Sequence, residues 1–235
     1  MSIAENIAAI RAKMNEAAIA AGRDPKDILL CAATKMNDSD AVRQAIAGGV
    51  DCCGENRVQE LVQKSAEDAY RGAPVHFIGH LQTNKVKQVV GKVDLIQSVD
   101  RLPLMEALEK EAMRQDVTQD ILLEINIGRE ESKSGFFAEE IHQILEQLPK
   151  FPHLRVKGLM AIPPICNQEG ENSRFFKEIC NLSVDIMRKK YDNVNMECLS
   201  MGMSDDYADA IRCGSTMIRV GTAIFGARNY AKPHQ

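Results

Sequence analysis

The first residue that could do chemistry is Lys35, which ends the apolar stretch LLCAATK at residues 29–35. A neutral lysine amine is a nucleophile toward aldehydes and ketones, with which it forms a Schiff base. Partial burial and cationic neighbours would have to lower its pKa for that neutral form to be populated. Alternatively, a strand reaches the surface here and the ammonium is solvated. The stretch by itself leaves both interpretations open.

A second set of residues could hold a phosphate group. Ser200 offers a hydroxyl, while Gly221 and Thr222 follow an apolar stretch at residues 217–220 and precede a predicted short helix. Glycine lets a ligand approach the backbone closely, and N–H groups at a helix start attract anions. The sequence contains no Walker loop for phosphate binding. The nearest candidate, GREESKSG around Lys133, lacks the required order of glycine, lysine and hydroxyl residue.

The histidines and cysteines do not predict a metal site. His76 and His80 are four residues apart, but His76 falls in a predicted strand, so the two would not share a helical face. None of the seven cysteines belongs to a C-x-x-C pair. Cys31 lies in a predicted buried strand, where a small apolar role is favoured over a nucleophilic one.

These residues lie near the ends of short apolar stretches that alternate with helix-sized segments. The predicted strands are residues 28–34, 50–54, 75–79, 93–99, 121–127, 156–162, 194–200 and 217–220. The predicted helices between them are residues 38–47, 56–68, 83–90, 103–114, 138–148, 173–190 and 205–213. Eight such units in a chain of this length favour a single (β/α)8 TIM barrel over a doubly wound sheet. Chemistry in such barrels occurs at the C-terminal ends of the strands, where Lys35, His80 and Ser200 fall.

An additional helix is predicted before the first strand. Ile3, Ile7, Ile10 and Met14 recur at helical spacing, and a glycine and a proline end the pattern. No linker, charge block or low-complexity segment divides the 235 residues. We therefore expect one domain that comprises residues 1–235.

Charge and hydropathy argue against some classes of function. The net charge of -4 disfavours a general nucleic-acid or membrane-surface binder. No apolar run has the length of a membrane span, and the N-terminus lacks the charged-then-apolar layout of a signal peptide. The expectation is a soluble cytoplasmic protein whose cysteines are reduced.

Several motifs together resemble the YggS/PROSC family of pyridoxal phosphate homeostasis proteins. They are AATK, GENRVQEL, HFIGHLQTNK, LLEINIG followed by SKSGF, GLMAI, LSMGMSDDYADAI and STMIRVGTAIFGAR, spread over about residues 28–228. The resemblance implies an alanine racemase N-terminal domain-like barrel in which Lys35 carries pyridoxal 5'-phosphate (PLP) as a covalent Schiff base. The other implied cofactor-binding residues are Asn56 and His80 on the cofactor face, Met160 beside the ring, Arg219 at the pyridine nitrogen, and Ser200, Gly221 and Thr222 at the phosphate.

The sequence departs from the usual family pattern at the rim of the implied pocket. Met36 and Asn37 follow the lysine, where the family often has a threonine and a nearby proline. Arg57 follows GEN, where an aromatic or small residue is common. These departures concern the rim and leave the implied attachment of the cofactor unchanged.

The resemblance implies a protein that stores, delivers or buffers PLP, with little or no turnover of its own. Arg219 at the pyridine nitrogen would disfavour ring protonation and make the ring a weaker electron sink. A racemase also needs acid/base groups on both faces of the carbanion, and beyond Lys35 the sequence offers no second one. No catalytic residue is therefore assigned.

Two alternatives remain open at this point. One is a weak PLP-dependent amino-acid racemase. The other is an aldolase-type barrel with Lys35 as its Schiff-base lysine, in which residues 219–222 bind a substrate phosphate. Apo PLP-dependent enzymes are the expected transient partners. The chain ends soon after the eighth predicted strand, without room for the β domain that builds the racemase dimer, so a monomer is expected.

Overall fold

The computed structural model describes residues 1–131, 133–164 and 170–226, which contain a closed barrel of parallel strands. The strands are β1 (Leu29–Ala33), β2 (Cys52–Glu55), β3 (Val75–Phe77), β4 (Leu95–Val99), β5 (Gln119–Ile125), β6 (Leu154–Ala161), β7 (Val194–Ser200) and β8 (Met217–Val220). Each strand pairs with the next in chain order, and β8 pairs with β1 to close the barrel. The predicted (β/α)8 architecture is confirmed, and each predicted strand overlaps an observed one.

Helices connect the strands and cover the outside of the barrel. They are α1 (Ile3–Ala20), α2 (Ser39–Ala47), α3 (Val58–Ala66), α4 (Leu102–Gln115), α5 (Ile141–Leu145), α6 (Ser173–Lys189), α7 (Tyr207–Arg212) and α8 (Thr222–Phe225). Two predicted helices differ: residues 83–90 contain a 3-10 helix, Thr83–Gln88, and residues 138–148 are divided between short 3-10 turns and α5. Pro149 explains why the latter helix ends at Leu145, because a proline has no N–H to donate to the carbonyl four residues earlier and its ring clashes with that carbonyl.

The additional N-terminal helix lies against the side of the barrel where β8 meets β1. A capping box formed by Ser2 and Glu5 begins α1. Its apolar face, which includes Ile7, Ile10 and Met14, packs in one buried cluster with side chains of β1 and β8. The helix therefore covers the strand pair that leads to Lys35 and Gly221 and supports it from outside.

The barrel interior is unusual in its side chains. Interiors of this fold are dominated by branched aliphatic residues. Here Cys31, Cys52 and Met217 form a buried cluster with Cys198 packed against it. Polar side chains of Gln97, Ser200 and Arg219 are buried in the same interior. The interior therefore holds groups that can ligate and hydrogen-bond as well as fill space.

In the described part of the chain, no helix is both long and apolar enough to cross a membrane. That residues 1–235 form one domain stays a prediction.

Candidate functional site at the mouth of the barrel

Lys35 lies at the C-terminal mouth of the barrel, two residues after the end of β1, and its side chain is partly buried. The register of β1 with β8 pairs Ala32 with Val220, so the turn after β8 reaches the same edge. A Cβ on Gly221 would lie 3.3 Å from the carbonyl oxygen of Ala33. The predicted amine and the predicted Gly221–Thr222 cradle are therefore neighbours, on adjacent strands where the barrel closes.

The backbone on both sides of Lys35 is held by side chains of α3. The Lys64 ammonium donates a hydrogen bond to the Thr34 carbonyl oxygen at 2.9 Å. The Glu60 carboxylate accepts one from the Met36 N–H at 2.7 Å. Met36 has a φ of 62°, in the left-handed region that few residues other than glycine adopt. The chain thus turns sharply after Lys35, and the two bonds fix that turn.

We call the two bonds from Lys64 and Glu60 to the backbone around Lys35 the clamp. A buried carboxylate, that of Glu55, lies beside it. Glu55 is fully buried, and its Oε1 atom accepts hydrogen bonds from Thr34 Oγ1 at 2.5 Å, Lys64 Nζ at 2.6 Å and Tyr70 Oη at 3.0 Å. Burial, together with the charge of Glu55, raises the pKa of Tyr70, so the phenol stays neutral and donates. Hydrogen-bonded charges in an interior are costly to separate. The Glu55–Lys64 pair therefore anchors the end of β1 to α3.

At the same end of the barrel, the ends of β2, β3, β5 and β6 surround a cavity of about 220 Å³. Its lining residues are Asn56, Ile78, Gly79, His80, Glu124, Ile125, Asn126, Lys133, Ser134 and Ile162. Gly79 permits the close approach that shapes it, since a Cβ there would lie 2.2 Å from the Asn56 carbonyl oxygen. The Oδ1 atom of Asn56 is buried and makes no hydrogen bond within the described residues. It is therefore available to a hydrogen-bond donor on a ligand.

His80 is oriented by a carboxylate at the rim of the cavity. Its Nδ1 atom lies 3.1 Å from Asp100 Oδ2 and 3.3 Å from Ser134 Oγ. Asp100 is buried and also pairs with Arg101. The side chain of His80 is 54% exposed, so the imidazole has one edge held by Asp100 and keeps access to solvent.

Glu124 is a site residue that the sequence interpretation missed. It lines the cavity from β5, and burial raises its pKa to about 7, helped by the charge of Asp100 and opposed by that of Arg219. It can therefore take up or release a proton near neutral pH. The signal was present in the sequence, because a carboxylate between apolar neighbours in a barrel strand must point to the interior or the outer helices.

Below the mouth, a chain of hydrogen bonds crosses the barrel interior. The Arg219 guanidinium donates to Ser200 Oγ at 2.5 Å and to the carbonyl oxygens of Ser200 and Ala161 at 2.6 and 3.0 Å. Ser200 Oγ donates to Gln97 Oε1 at 2.6 Å, and Gln97 Nε2 lies 2.9 Å from His76 Nδ1. Because arginine only donates, the direction of each bond in this chain is fixed.

The predicted residues therefore fall into groups at different depths. Lys35, Gly221 and Thr222 occupy the edge where the barrel closes, and Asn56 and His80 line the cavity. Met160, Ser200 and Arg219 lie deeper, each at most 5% exposed. The hydroxyl of Ser200 is engaged with Gln97 and Arg219 in the interior, and its phosphate contact stays a prediction.

Comparison with known proteins decides the family. A family profile for the alanine racemase N-terminal domain matches residues 2–229. The pyridoxal phosphate homeostasis protein of Pseudomonas aeruginosa is 39% identical over 232 residues, 99% of this chain and 98% of the relative. The protein of the same name from Escherichia coli K12 is 40% identical over 233 residues, 98% of each chain. This chain belongs to the pyridoxal phosphate homeostasis protein family.

Solved structures agree with this family assignment. PipY of Synechococcus elongatus with PLP bound is 30% identical, with a TM-score of 0.83 over 96% of this chain and 100% of PipY. PipY without PLP gives 31% identity and a TM-score of 0.85 over the same shares. An alanine racemase from Streptomyces coelicolor is 16% identical and has a TM-score of 0.71 over 97% of this chain and 59% of its own. The last comparison shows the shared fold alone.

Proposed function

We propose that this protein binds PLP covalently through Lys35 and acts in intracellular PLP homeostasis by storing, delivering or buffering the cofactor. The observation that carries this proposal is the position of Lys35, a partly buried amine with clamped backbone beside Gly221–Thr222 at the barrel mouth. The names of its relatives and the PLP held by PipY support it.

The residues at the mouth fit the cofactor on structural grounds. Asn56 Oδ1 is buried without a partner among the described residues and can accept a hydrogen bond from a donor group of the cofactor. Gly221 lies directly before α8, and the lack of a side chain there would let a phosphate approach its backbone closely. When bound, PLP supplies an aldehyde that reacts with amines and a ring that withdraws electrons from the α-carbon of an attached amino acid.

The protein's own residues set what this site can do. The clamp on Thr34 and Met36 fixes where the Lys35 side chain starts, so less conformational entropy is lost when its amine is positioned. Arg219 is a buried cation that donates to Ser200 and Ala161. A donor of this kind facing a pyridine nitrogen disfavours protonation of that nitrogen. This supports retention of the cofactor with little turnover of amino acids.

A weak racemase is the second candidate, and Glu124 is the observation that favours it. Its pKa of about 7 places a carboxyl that exchanges protons near neutral pH in the same cavity as His80. Such a group could serve the face of a carbanion that Lys35 does not reach. The aldolase-type alternative has no comparable support.

Transient transfer of PLP to apo PLP-dependent enzymes, a cytoplasmic location and a monomeric state belong to the same proposal. The transfer rests on the family resemblance, and the location and the monomeric state are expectations from the sequence.

The test of the proposal is the visible absorption spectrum of the purified protein after incubation with PLP. We expect an absorption band that borohydride removes, with the cofactor then fixed to the peptide that contains Lys35 in mass spectrometry. Lys35→Ala should lose the band, whereas Lys87→Ala, at an exposed lysine, should keep it. A Lys35→Ala protein that keeps the band, with borohydride still removing it, would refute Lys35 as the attachment residue.

A second measurement separates the homeostasis role from racemisation. The PLP-loaded protein is incubated with L-alanine in deuterated water, and α-hydrogen exchange and D-alanine are followed. Exchange that Glu124→Gln abolishes would support the racemase. Absence of exchange, with PLP passing to an apo-enzyme that regains activity, would support the carrier.

A further inference from the structure

A group of side chains that can ligate a metal lies inside the barrel and includes none of the residues assigned to the proposed cofactor site. The Sγ atoms of Cys31 and Cys52 and a ring nitrogen of His76 all lie within 4.8 Å of one another. Cys31 is fully buried, Cys52 is 2% exposed and His76 is 7% exposed. The three residues come from β1, β2 and β3, which are consecutive strands in the barrel.

The register of the strands brings these side chains together. Cys31 is the direct pairing partner of Cys52, and Gly54, two residues further along β2, pairs with His76. Alternate residues of a strand point to the same face. A glycine at position 54 is needed for this packing, because a Cβ there would lie 2.9 Å from Cys31 Sγ. Two cysteine sulfurs and one imidazole thus converge from three strands, which is how a preorganised site is built.

The chemistry of the donors selects the ligand. Thiolate sulfur and imidazole nitrogen are the ligands of zinc and related thiophilic ions, whereas magnesium and calcium require oxygen. Two thiolates also neutralise the charge of a divalent ion, so a buried complex leaves no unbalanced charge. Met217 and Cys198 pack against the cluster and keep its surroundings rich in sulfur.

We propose that Cys31, Cys52 and His76 form a binding site for one thiophilic divalent ion of the Zn²⁺ class, with a fourth coordination position left to another donor. The ion forms bonds to two sulfurs and one nitrogen, and protons carried by the two sulfurs are released to solvent. This site is separate from the proposed attachment of PLP at Lys35 and does not depend on it.

The hydrogen-bond chain in the barrel forms the second shell of this site. In the present arrangement Gln97 Nε2 donates to His76 Nδ1, so the proton of a neutral imidazole resides on Nε2. Coordination through Nε2 requires that proton to move to Nδ1 and the Gln97 amide to turn, so that its oxygen accepts it. Gln97 therefore controls which ring nitrogen is free to bind the ion.

Because Gln97 sets which nitrogen of His76 is free, a substitution at Gln97 can tighten metal binding instead of weakening it. A carboxylate in place of the Gln97 amide can accept from His76 Nδ1–H without turning. Gln97→Glu should therefore tighten metal binding, by roughly tenfold, the lower end of known second-shell effects. A cluster that merely fills the barrel would bind no ion in either protein.

The experiment is a titration of the full-length, reduced, PLP-free protein with Co²⁺, whose thiolate complexes absorb strongly in the near ultraviolet. We expect one Co²⁺ per chain, displaced by Zn²⁺. Cys31→Ser, Cys52→Ser and His76→Gln should each weaken binding by at least roughly tenfold. Cys180→Ser, a control at a partly exposed cysteine of α6, should bind as the wild type does.

Circular dichroism checks that each variant is folded before it is titrated. Absence of the thiolate–cobalt band in the folded wild-type protein would overturn the proposal. So would a band that survives in both Cys31→Ser and Cys52→Ser, or one that Cys180→Ser removes. Because the readout uses no PLP, failure here leaves the proposed function standing, and failure of the Lys35 experiment leaves this site standing.

Discussion

Replacing Lys64 by methionine tests whether the buried ion pair holds the end of β1. Lys64 is 4% exposed and its ammonium donates to Glu55 Oε1 at 2.6 Å, to the Thr34 carbonyl oxygen at 2.9 Å and to Glu60 Oε2 at 3.3 Å. Methionine keeps an apolar side chain as long as the lysine stem and lacks only the charged terminal ammonium. The change thus leaves Glu55 as a buried carboxylate without its cation.

The expected cost follows from this geometry. Removing one partner of a buried ion pair costs about 3–5 kcal/mol, because the remaining charge is uncompensated. The hydroxyl groups of Thr34 and Tyr70 still donate to Glu55, so the lower half of that range is expected. Three bonds summed at their individual values would overestimate the loss, since contacts within one network are not additive. For a chain of this size a cost of about 3–4 kcal/mol corresponds to a fall in Tm of roughly 6–16 °C.

The assay is urea unfolding followed by circular dichroism, with Lys87→Met as the matched control. Lys87 is exposed, and its replacement should change the free energy of unfolding by no more than about 0.5 kcal/mol. The double variant Glu55→Leu/Lys64→Met removes both charges and should lose less stability than the sum of the single variants. The difference should be about 0.5–3 kcal/mol, the usual coupling within one network.

Two results would refute this reasoning. One is a loss below about 1 kcal/mol in Lys64→Met, since that is the level of an exposed ion pair. The other is strict additivity in the double variant, which would mean that Glu55 and Lys64 do not interact. With PLP added, Lys64→Met should also show a weaker absorption band than the wild type at equal PLP concentration, because the backbone that flanks Lys35 is released.

Three further predictions concern substitutions of single residues. Burial raises the pKa of Glu124 from 4.5 to about 7, so its contribution to stability is present below pH 4.5 and is lost as the pH rises to about 7. The urea midpoint of Glu124→Gln should therefore depend less on pH across this interval than that of the wild type, and equally steep profiles would reject this assignment. Gly79→Ala should cost about 1–3 kcal/mol in urea unfolding, since its Cβ would lie 2.2 Å from the Asn56 carbonyl oxygen, whereas Gly221→Ala, with a nearest contact of 3.3 Å, should cost less. Equal losses would contradict the packing argument. Met36 is 51% exposed and has a φ of 62°. Met36→Gly should therefore change stability by no more than roughly 1 kcal/mol, whereas Met36→Val should cost roughly 1–2 kcal/mol. The opposite order of the two variants in urea unfolding would contradict the left-handed turn.

The architecture could be predicted from the sequence because its signal is local. Apolar runs alternate with helical patterns, and the predicted bounds of β7 and β8 are those observed. The same alternation places Lys35 at the end of β1 and Gly221 after β8. Bounds were less accurate where residues 138–148 formed 3-10 turns and only a short helix, since Pro149 disrupts a pattern that is otherwise helical.

The roles suggested for the eight cofactor-binding residues came from motifs and the known pattern of a family, and the structure adds where each residue lies. Met36, which departs from that family pattern, has a structural explanation here. Its left-handed backbone makes the turn after Lys35, and its N–H is bound by Glu60. The sequence indicated neither fact, because a positive φ at a methionine has no local signature.

What the sequence determined by itself is the order of the elements, the closure of the barrel that follows from eight repeated units, and the lysine at a strand end. What only the tertiary structure decided is which distant residues meet: Glu55 with Lys64 and Tyr70, Glu124 with Asp100 and Arg219, and Cys31 with Cys52 and His76. The reason is physical. Periodicity is set by neighbours in the chain, whereas burial, pairing and pKa depend on strand register and on which face of each strand turns inward once the barrel has closed.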